Sequence, residues 1–321
     1  MKIKNVLSLF DGISCGQEAL KRAGIEYENY YASEIDKNSI KVTQKRFPKT
    51  IQIGDVSKIN LEELPEIDLI LAGSPCQGFS VAGNGLNFEH PKSKLFFEFV
   101  RVLEEVKPKY FLLENVKMRN KWKDIITSFV GVEPIEINSS LVSAQYRRRL
   151  YWTNIPNIEQ PKDRGLTLKN IEESNQTGVF IDHTVKTIPN YILKNGREIE
   201  FSKTLEKPYS FKEGRTEFGK AERKRLTKLL GRDTTPRNSK NKGYFPQSNK
   251  KANCLVTSAT ILDYIIDTNS HFRELTILEK IRLQTLPDDY FKDTGLSDTQ
   301  IHRALGNGWT VDVISHILSY I

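Results

Sequence analysis

Short apolar runs alternate with amphipathic stretches through the first 155 residues of the chain. The apolar runs predict β-strands at residues 6–10, 30–33, 51–53, 68–72 and 110–113, and a further strand-like run lies at 150–152. Apolar positions at helical spacing predict helices at residues 16–22, 37–46 and 95–106. Strands that alternate with helices indicate an α/β fold with a parallel, doubly wound sheet, whose ligands bind at the carboxyl ends of the strands.

This alternation stops at about residue 156. Glycine, proline, asparagine, threonine and lysine become frequent there, and Pro189, Pro208, Pro236 and Pro246 interrupt the short apolar runs. We therefore predict a separate, smaller domain with little regular structure. Helical periodicity returns at residues 275–286 and 311–321.

Composition narrows the class of protein only moderately. Hydrophobic residues make up 38% and charged residues 27% of the chain, as in an ordinary soluble globular protein. We expect no membrane span and no signal peptide, because no sufficiently long apolar run exists, and we expect a cytoplasmic location. The scattered Cys15, Cys76 and Cys254 fit a reducing compartment, and no Cys or His pair has the spacing of a metal site.

The net charge of +8 is concentrated in one segment. Residues 186–251 contain 18 Lys and Arg against 7 Asp and Glu, a net charge of +11, whereas the rest of the chain sums to −3. Such a segment is typical of a nucleic-acid interface. A solvated basic surface explains the charge alone equally well.

Polar loops follow the first three predicted strands. The first contains Phe10, Asp11 and Gly12, the second begins at Glu34, and the third contains Asp55. Glycine permits close approach of a ligand to the backbone, and an acidic residue after the second strand can accept hydrogen bonds from ribose hydroxyls. The three loops together indicate a nucleoside-containing cofactor, although a glycine loop by itself can be a structural turn.

Two later loops carry groups suited to covalent chemistry. Cys76 lies between Pro75 and Gln77 in a glycine-containing loop after the fourth strand, where a nucleophile is well placed, although a free cysteine is more often simply buried. Glu114 ends the fifth strand and is a candidate general acid. The three arginines at 147–149 precede a strand-like run, and the alternative interpretation for them is a solvated turn.

Taken in chain order, these pieces resemble the motif series of the DNA cytosine-5 methyltransferases of prokaryotic or phage type. The matching segments are Phe-Asp-Gly at 10–12, Gly-Ser-Pro-Cys-Gln-Gly-Phe-Ser at 73–80, Glu-Asn-Val at 114–116, Gln-x-Arg-x-Arg at 145–149, Arg-Leu-Gln-Thr-Leu-Pro at 282–287 and Gly-Asn-Gly-Trp at 306–309. The resemblance covers about two-thirds of the chain and is absent from the middle segment. Gly308-Trp309, where many members have Ser-Val, brings the chain closer to the de novo animal DNA methyltransferases.

The resemblance implies a Rossmann-like methyltransferase that uses S-adenosylmethionine and acts on a cytosine flipped out of the DNA stack. It assigns to Cys76 the addition to C6 of the base and to Glu114 the contact with N3 and the exocyclic amine. It assigns to Arg147 and Arg149 the holding of the base's carbonyl oxygen and the orientation of the active-site loop. The cofactor contacts that it implies are Phe10, Asp11, Gly12, Ile13, Glu34, Ile35, Asp55, Val56, Pro75, Leu95, Asn307, Gly308 and Trp309.

It also predicts how the chain is organised. We expect residues 1–155 with 271–321 to form the catalytic and cofactor-binding domain, and residues 156–270 to form a target-recognition domain. The expected partner is double-stranded DNA, with a separate cognate restriction endonuclease as a further candidate, and the expected state is a monomer. Three alternatives stay open: a transfer RNA cytosine methyltransferase, a catalytically inactive DNA-binding regulator, and a nicotinamide-dependent dehydrogenase.

Overall fold

Two β-sheets organise the chain in a computed structural model that describes residues 3–74, 91–181, 199–202, 204–230, 233–236, 241–258 and 260–321. The strands are β1 (Asn5–Leu9), β2 (Asn29–Ser33), β3 (Ile51–Gln52), β4 (Leu69–Gly73), β5 (Tyr110–Val116), β6 (Ile135–Asn138), β7 (Arg148–Thr153), β8 (Val179–Phe180), β9 (Tyr209–Arg215), β10 (Lys242–Pro246), β11 (Tyr264–Ile266) and β12 (His271–Glu274). The helices are α1 (Cys15–Arg22), α2 (Lys37–Arg46), α3 (Pro91–Val106), α4 (Asn120–Val130), α5 (Leu168–Ile171), α6 (Glu217–Leu230), α7 (Ile277–Leu283), α8 (Asp298–Asn307) and α9 (Val311–Leu318).

The larger sheet has seven strands in the order β3-β2-β1-β4-β5-β7-β6. The first five strands are parallel, and β7 runs antiparallel to both β5 and β6. This arrangement confirms the predicted α/β class. The direction of the chain reverses only after β5, so the loops after β1 to β5 emerge at one edge of the sheet, where a doubly wound protein binds its ligands.

Both faces of this sheet are covered, which explains why its central strands are apolar throughout rather than alternating. Val6, Leu69 and Leu112 point into a core shared with α1, α8 and α9. Their neighbours Leu7, Ile70 and Leu113 point into a second core, formed with α3 and α4. Successive residues of a strand face opposite sides, so one apolar strand serves both layers.

The carboxyl-terminal segment returns to the first helical layer. Helix α9 packs against α1. Arg22 and Asp312 form an ion pair of 2.6 Å between the two helices. The fully buried Tyr290 donates its hydroxyl to the carbonyl oxygen of Ile13, at 2.7 Å, and so ties this segment to the loop after β1.

The middle of the chain is more regular than we predicted. It forms an antiparallel sheet of five strands in the order β10-β9-β11-β12-β8 over a core that includes Tyr209, Phe211 and Phe272. The expectation of little regular structure was therefore wrong. The strands are short and pair with partners far away in sequence, so local periodicity reveals little of them. The last strand, β12, lies just beyond the boundary predicted at residue 270.

A buried cluster of charges joins the second sheet to α7. Arg273 on β12 lies 3.0 Å from Asp267 and 2.7 Å from Glu279 on α7, and all three side chains are almost fully buried. Removing one member of such a cluster would leave an unpaired buried charge. The cluster therefore holds the second sheet to the helical layer beside it.

Helix α6 projects from the second sheet with most of its residues exposed. Gly219 fits it to the sheet, because a Cβ atom there would lie 2.1 Å from the carbonyl oxygen of Asn241. Phe218 and Leu229 are exposed on the same helix. No helix in the described part of the chain is long and apolar enough to cross a membrane.

Candidate active site

The loop that carries Cys76 leaves the sheet beside Glu114. Pro75 and Cys76 themselves lie outside the described residues, which end at Ser74 and resume at 91. Gly73, the last residue of β4, is in register with Glu114 on β5. Asn115 donates its side-chain amide to the hydroxyl of the buried Ser74, at 3.0 Å. The base of the predicted nucleophile loop is thus held next to the predicted acid.

Two groups from distant parts of the chain contact the carboxylate of Glu114. Arg149 places its Nε 3.0 Å from Oε1 as an ion pair, although its N–H direction does not meet hydrogen-bond geometry. Trp309 donates its indole N–H to Oε2 at 3.1 Å. Glu114 is buried, so this carboxylate is held between a cation and a neutral donor at the edge of the sheet.

Arg147 is placed differently from Arg149. Its guanidinium is buried and donates to the carbonyl oxygens of Leu255 at 2.9 Å, Gly306 at 3.3 Å and Gly308 at 2.8 Å. The structure therefore separates the predicted arginine pair. Arg149 faces Glu114, whereas Arg147 joins the segment after β10, at Leu255, to the turn after α8.

Cys254 lies between the two arginines, a position that sequence reasoning missed. Its Sγ is 3.3 Å from Nη1 of Arg147 and 3.6 Å from Nη2 of Arg149. Burial opposes ionisation of this thiol, but the two guanidinium groups outweigh it and lower the pKa of Cys254. Cys254 is only partly buried and lies in a cationic environment.

The loops after β1 and β2 are joined by backbone and carboxylate contacts. The amide of Gly12 donates to Oε2 of Glu34 at 2.8 Å, and Oε1 of Glu34 accepts the amides of Ile35 and Asp36, both at 2.8 Å. Asp11 donates its amide to the carbonyl of Ser33 at 3.1 Å. The predicted cofactor residues of these two loops thus form one wall.

Asp11 is a partly buried residue in this wall. Burial raises its pKa to about 6, against the hydrogen bonds from Ser8, Tyr30 and Ser14 that lower it. Phe10 and Ser14 on either side have positive φ angles of 59° and 61°. Non-glycine residues held in the left-handed region concentrate at ligand sites, because the surrounding structure must compensate for the strain.

Some of the other predicted cofactor residues are exposed, and others are buried or partly buried. Ile35 is 71% exposed at the edge of the sheet, although it is large and apolar. Asp55 caps the turn Val56–Lys58 through Ser57, and hydrogen bonds from Ser57 lower its pKa. Val56 and Ile13 are buried in the two cores. Leu95 and Phe10 are partly buried and pack against the second core. Asn307 is exposed at the end of α8.

The indole ring of Trp309 packs against two glycines at the edge of the sheet. A Cβ atom at Gly73 would lie 2.9 Å from the indole nitrogen, and one at Gly16 would lie 3.7 Å from the ring and only 2.8 Å from Leu71 and Tyr30. Sequence reasoning explained the glycines only by turns and ligand approach. The structure adds tight side-chain packing, for which the sequence offered no signal beyond the glycine itself.

The strand order, the reversed β7 and the polar loops gathered at one edge define an α/β protein with a Rossmann-like, doubly wound sheet. The chain belongs to the family described as C-5 cytosine-specific DNA methylase, whose sequence profile matches residues 4–321. Among the described residues, no group of three His, Cys, Asp or Glu side chains is placed to hold a metal ion.

Individual relatives match parts or nearly all of the chain. An orphan methyltransferase of Bacillus phage rho11s is 47% identical over 114 residues, 35% of this chain and 23% of the phage protein. The chain thus matches about a quarter of that relative's length. A type II methyltransferase of Neisseria gonorrhoeae is 27% identical over 326 residues, 96% of this chain and 90% of that protein. The solved structure of the Entamoeba histolytica methyltransferase EhMeth has a TM-score of 0.64 at 17% identity, and the alignment covers 100% of this chain and 98% of that one.

Proposed function

We propose that this protein transfers a methyl group from S-adenosylmethionine to C5 of a flipped-out cytosine in a specific duplex DNA sequence. The observation that carries the proposal is the position of Glu114. It lies at the carboxyl edge of the sheet, in register with Gly73 at the base of the Cys76 loop, and beside Arg149. Family membership supports the same chemistry.

The edge formed by the first three loops fits the cofactor. The carboxylates of Glu34 and Asp55 lie after the ends of β2 and β3, where they can accept hydrogen bonds from ribose hydroxyls and from the adenine amine. The exposed Ile35 offers an apolar surface for a flat base. Asp11 supplies negative charge to a ligand that carries an ammonium and a sulfonium group. When bound, S-adenosylmethionine supplies an electrophilic methyl group.

The protein's own residues make the cytosine reactive. We propose that the Cys76 thiolate adds to C6, which forms an S–C6 bond and turns the ring into an enamine nucleophilic at C5. Glu114 contacts N3 and the exocyclic amine and so favours N3 protonation, which relieves the charge created by addition. Arg149 holds the base's carbonyl oxygen. After methylation, loss of the C5 proton to a base breaks the S–C6 bond and regenerates the thiolate.

The second sheet with α6 is proposed to recognise DNA. Helix α6 is largely exposed and lies within the segment of net charge +11. It carries Lys220, Arg223, Lys224, Arg225 and Lys228. Lysine and arginine contacts to phosphates provide affinity, and side chains in the major groove provide specificity. A flipped cytosine reaches Cys76 only after leaving the stack.

Transfer of radiolabelled methyl to duplex DNA and to transfer RNA tests the substrate. We expect label in cytosine C5 of the duplex only, and label in the RNA alone would reject the DNA proposal.

A duplex with 5-fluorocytosine at the target should trap a covalent complex, since the C5 fluorine cannot leave as a proton. Peptide mapping should place the crosslink at Cys76. The Cys76→Ser variant should lose trapping and turnover and keep its fold, and a crosslink at Cys15 or Cys254 would overturn the mechanism.

A further inference from the structure

The carboxylate of Glu114 would rotate freely without its two partners, because the terminal torsion of a glutamate is only weakly restricted. Arg149 lies at 3.0 Å from one oxygen and the Trp309 indole donates to the other at 3.1 Å. The Trp309 hydrogen bond occupies one acceptor direction of its oxygen, whereas the Arg149 ion pair does not meet hydrogen-bond geometry. A carboxylate oxygen has two acceptor directions, so each oxygen keeps at least one for a substrate.

Trp309 is itself held from several sides. The faces and edges of its indole lie against Gly73 and Gly16, and no larger residue fits at Gly73 without moving the ring. Its backbone lies beside the thiol of Cys15 at the start of α1. The preceding residue, Gly308, is fixed through its carbonyl by Arg147 at 2.8 Å and by Gln284 at 3.2 Å. The indole N–H therefore points at Glu114 from a rigid turn.

We propose that Trp309 is a positioning residue for Glu114. Its indole N–H sets the plane of the carboxylate that receives N3 and the exocyclic amine of the target base, and so raises the rate of addition to C6. The same turn lies against the start of α1 at Cys15 and Gly16, directly after the loop that follows β1, so the cofactor side and the base side meet at this one side chain. This inference rests on the proposed function, and its first test is independent of turnover.

That first test uses the indole N–H signals in a ¹⁵N correlation spectrum. The chain has three tryptophans, and Trp309→Phe identifies the signal of Trp309 by its loss. We expect Glu114→Ala to move that signal upfield, as loss of a hydrogen bond to a carboxylate requires, and to leave those of Trp122 and Trp152 in place. A Trp309 signal that does not move rejects the contact, whether or not the protein methylates DNA.

The second test is kinetic. We expect Trp309→Phe, which keeps the ring and removes the donor, to lower kcat and the rate of 5-fluorocytosine trapping by about tenfold, because a hydrogen bond to a charged group is lost. KM for S-adenosylmethionine should stay within about twofold of the wild type, since the ring still fills its place against Gly73. Trp152→Phe is the matched control. It removes an indole donor bonded to Thr127 at 3.0 Å, on the opposite face of the sheet from Glu114.

A double-mutant cycle separates positioning from a general structural role. If Trp309 acts through Glu114, adding Trp309→Phe to Glu114→Ala should cause no further loss in trapping rate. The same tenfold loss in both backgrounds, or undiminished kcat in Trp309→Phe, would overturn the proposal. A wild-type protein that transfers no methyl to any duplex would instead reject the proposed function, and the spectroscopic test would still decide on the contact.

Discussion

Arg147 donates its guanidinium to the carbonyl oxygen of Gly308 at 2.8 Å, across 161 residues of sequence. Two residues later, Arg149 lies 3.0 Å from Glu114 instead. Both arginines belong to one short motif, yet one is enclosed by backbone carbonyls and the other is directed to the carboxylate of Glu114. The physical roles of the two side chains therefore differ, and substitution separates them.

We predict that Arg147→Lys reduces the free energy of unfolding by about 2–4 kcal/mol, because one ammonium cannot reach all the carbonyls that the guanidinium satisfies. Arg149→Lys should change that free energy by about 1 kcal/mol or less and yet lower kcat strongly, since it keeps the charge but loses the planar geometry. Urea denaturation and steady-state kinetics measure the two effects. Equal loss of stability in both variants would contradict the division of roles.

Asp11 should make the protein's stability depend on pH. The folded protein, in which the pKa of Asp11 is about 6, binds this proton more tightly than the unfolded chain, whose carboxyl titrates near 3.8. Asp11 therefore destabilises the fold above pH 6, by about 3 kcal/mol, and the penalty disappears as the pH falls through 6 and below 4. Asp11→Asn should be more stable than the wild type at pH 8 and lose that advantage at pH 4.5.

Asp55→Asn is the matched control for this prediction. Hydrogen bonds from Ser57 lower the pKa of Asp55, so its ionised form stabilises the fold at neutral pH and the effect is lost as the pH falls. The change in stability should have the opposite sign to that of Asp11→Asn at pH 8. Urea unfolding curves at the two pH values measure both variants, and a pH-independent gain in Asp11→Asn would reject the assignment to the carboxyl group of Asp11.

Cys254 should react with iodoacetamide faster than Cys15. Burial raises the pKa of Cys15 to about 12, whereas Arg147 and Arg149 lower that of Cys254. Since the thiolate is the reactive form, we expect a difference of at least about tenfold at pH 7.5, read by peptide mass mapping of the native protein. Arg149→Met should slow the labelling of Cys254 and leave Cys15 unchanged. Equal labelling of both cysteines in the wild type would show that access, not charge, governs their reactivity.

Neutralising Arg223, Lys224 and Arg225 to glutamine should weaken DNA binding and flatten its salt dependence. Loss of one to three phosphate contacts would reduce the slope of log K against log salt by about 1–3. Arg225 and Arg223 lie near Glu222 and Asp233, but such exposed ion pairs are weak and phosphates can compete with them.

A matched triple variant provides the control for this measurement. Lys21, Lys45 and Lys49 lie at or just after the ends of α1 and α2, at the amino edge of the parallel strands and opposite the candidate site. Their replacement by glutamine removes the same charge and should leave the slope nearly unchanged. Equal effects of the two triple variants in a filter-binding titration would show that α6 has no special role.

Much of the large sheet follows from local sequence. The apolar runs at 6–10 and 68–72 are continuous because their strands are covered on both faces, and the helices between them show their period directly. Glu114 and the loops at Asp11 and Glu34 could be assigned from their positions after predicted strands. The strands of the second sheet could not, because a short strand with an exposed face depends on its partners for its stability.

The sequence by itself determined the family, the α/β order and the chemical types of residue at the end of each strand, since these depend on neighbours along the chain. Tertiary structure alone decided which of these groups meet. Trp309 reaches Glu114 across 195 residues, and Arg147 is enclosed by the turn at Gly306–Gly308, while Arg149 is not. Cys254 acquires its lowered pKa only because the segment after β10 folds against two arginines. Contacts of this kind depend on packing and burial between distant segments, and no local period encodes them.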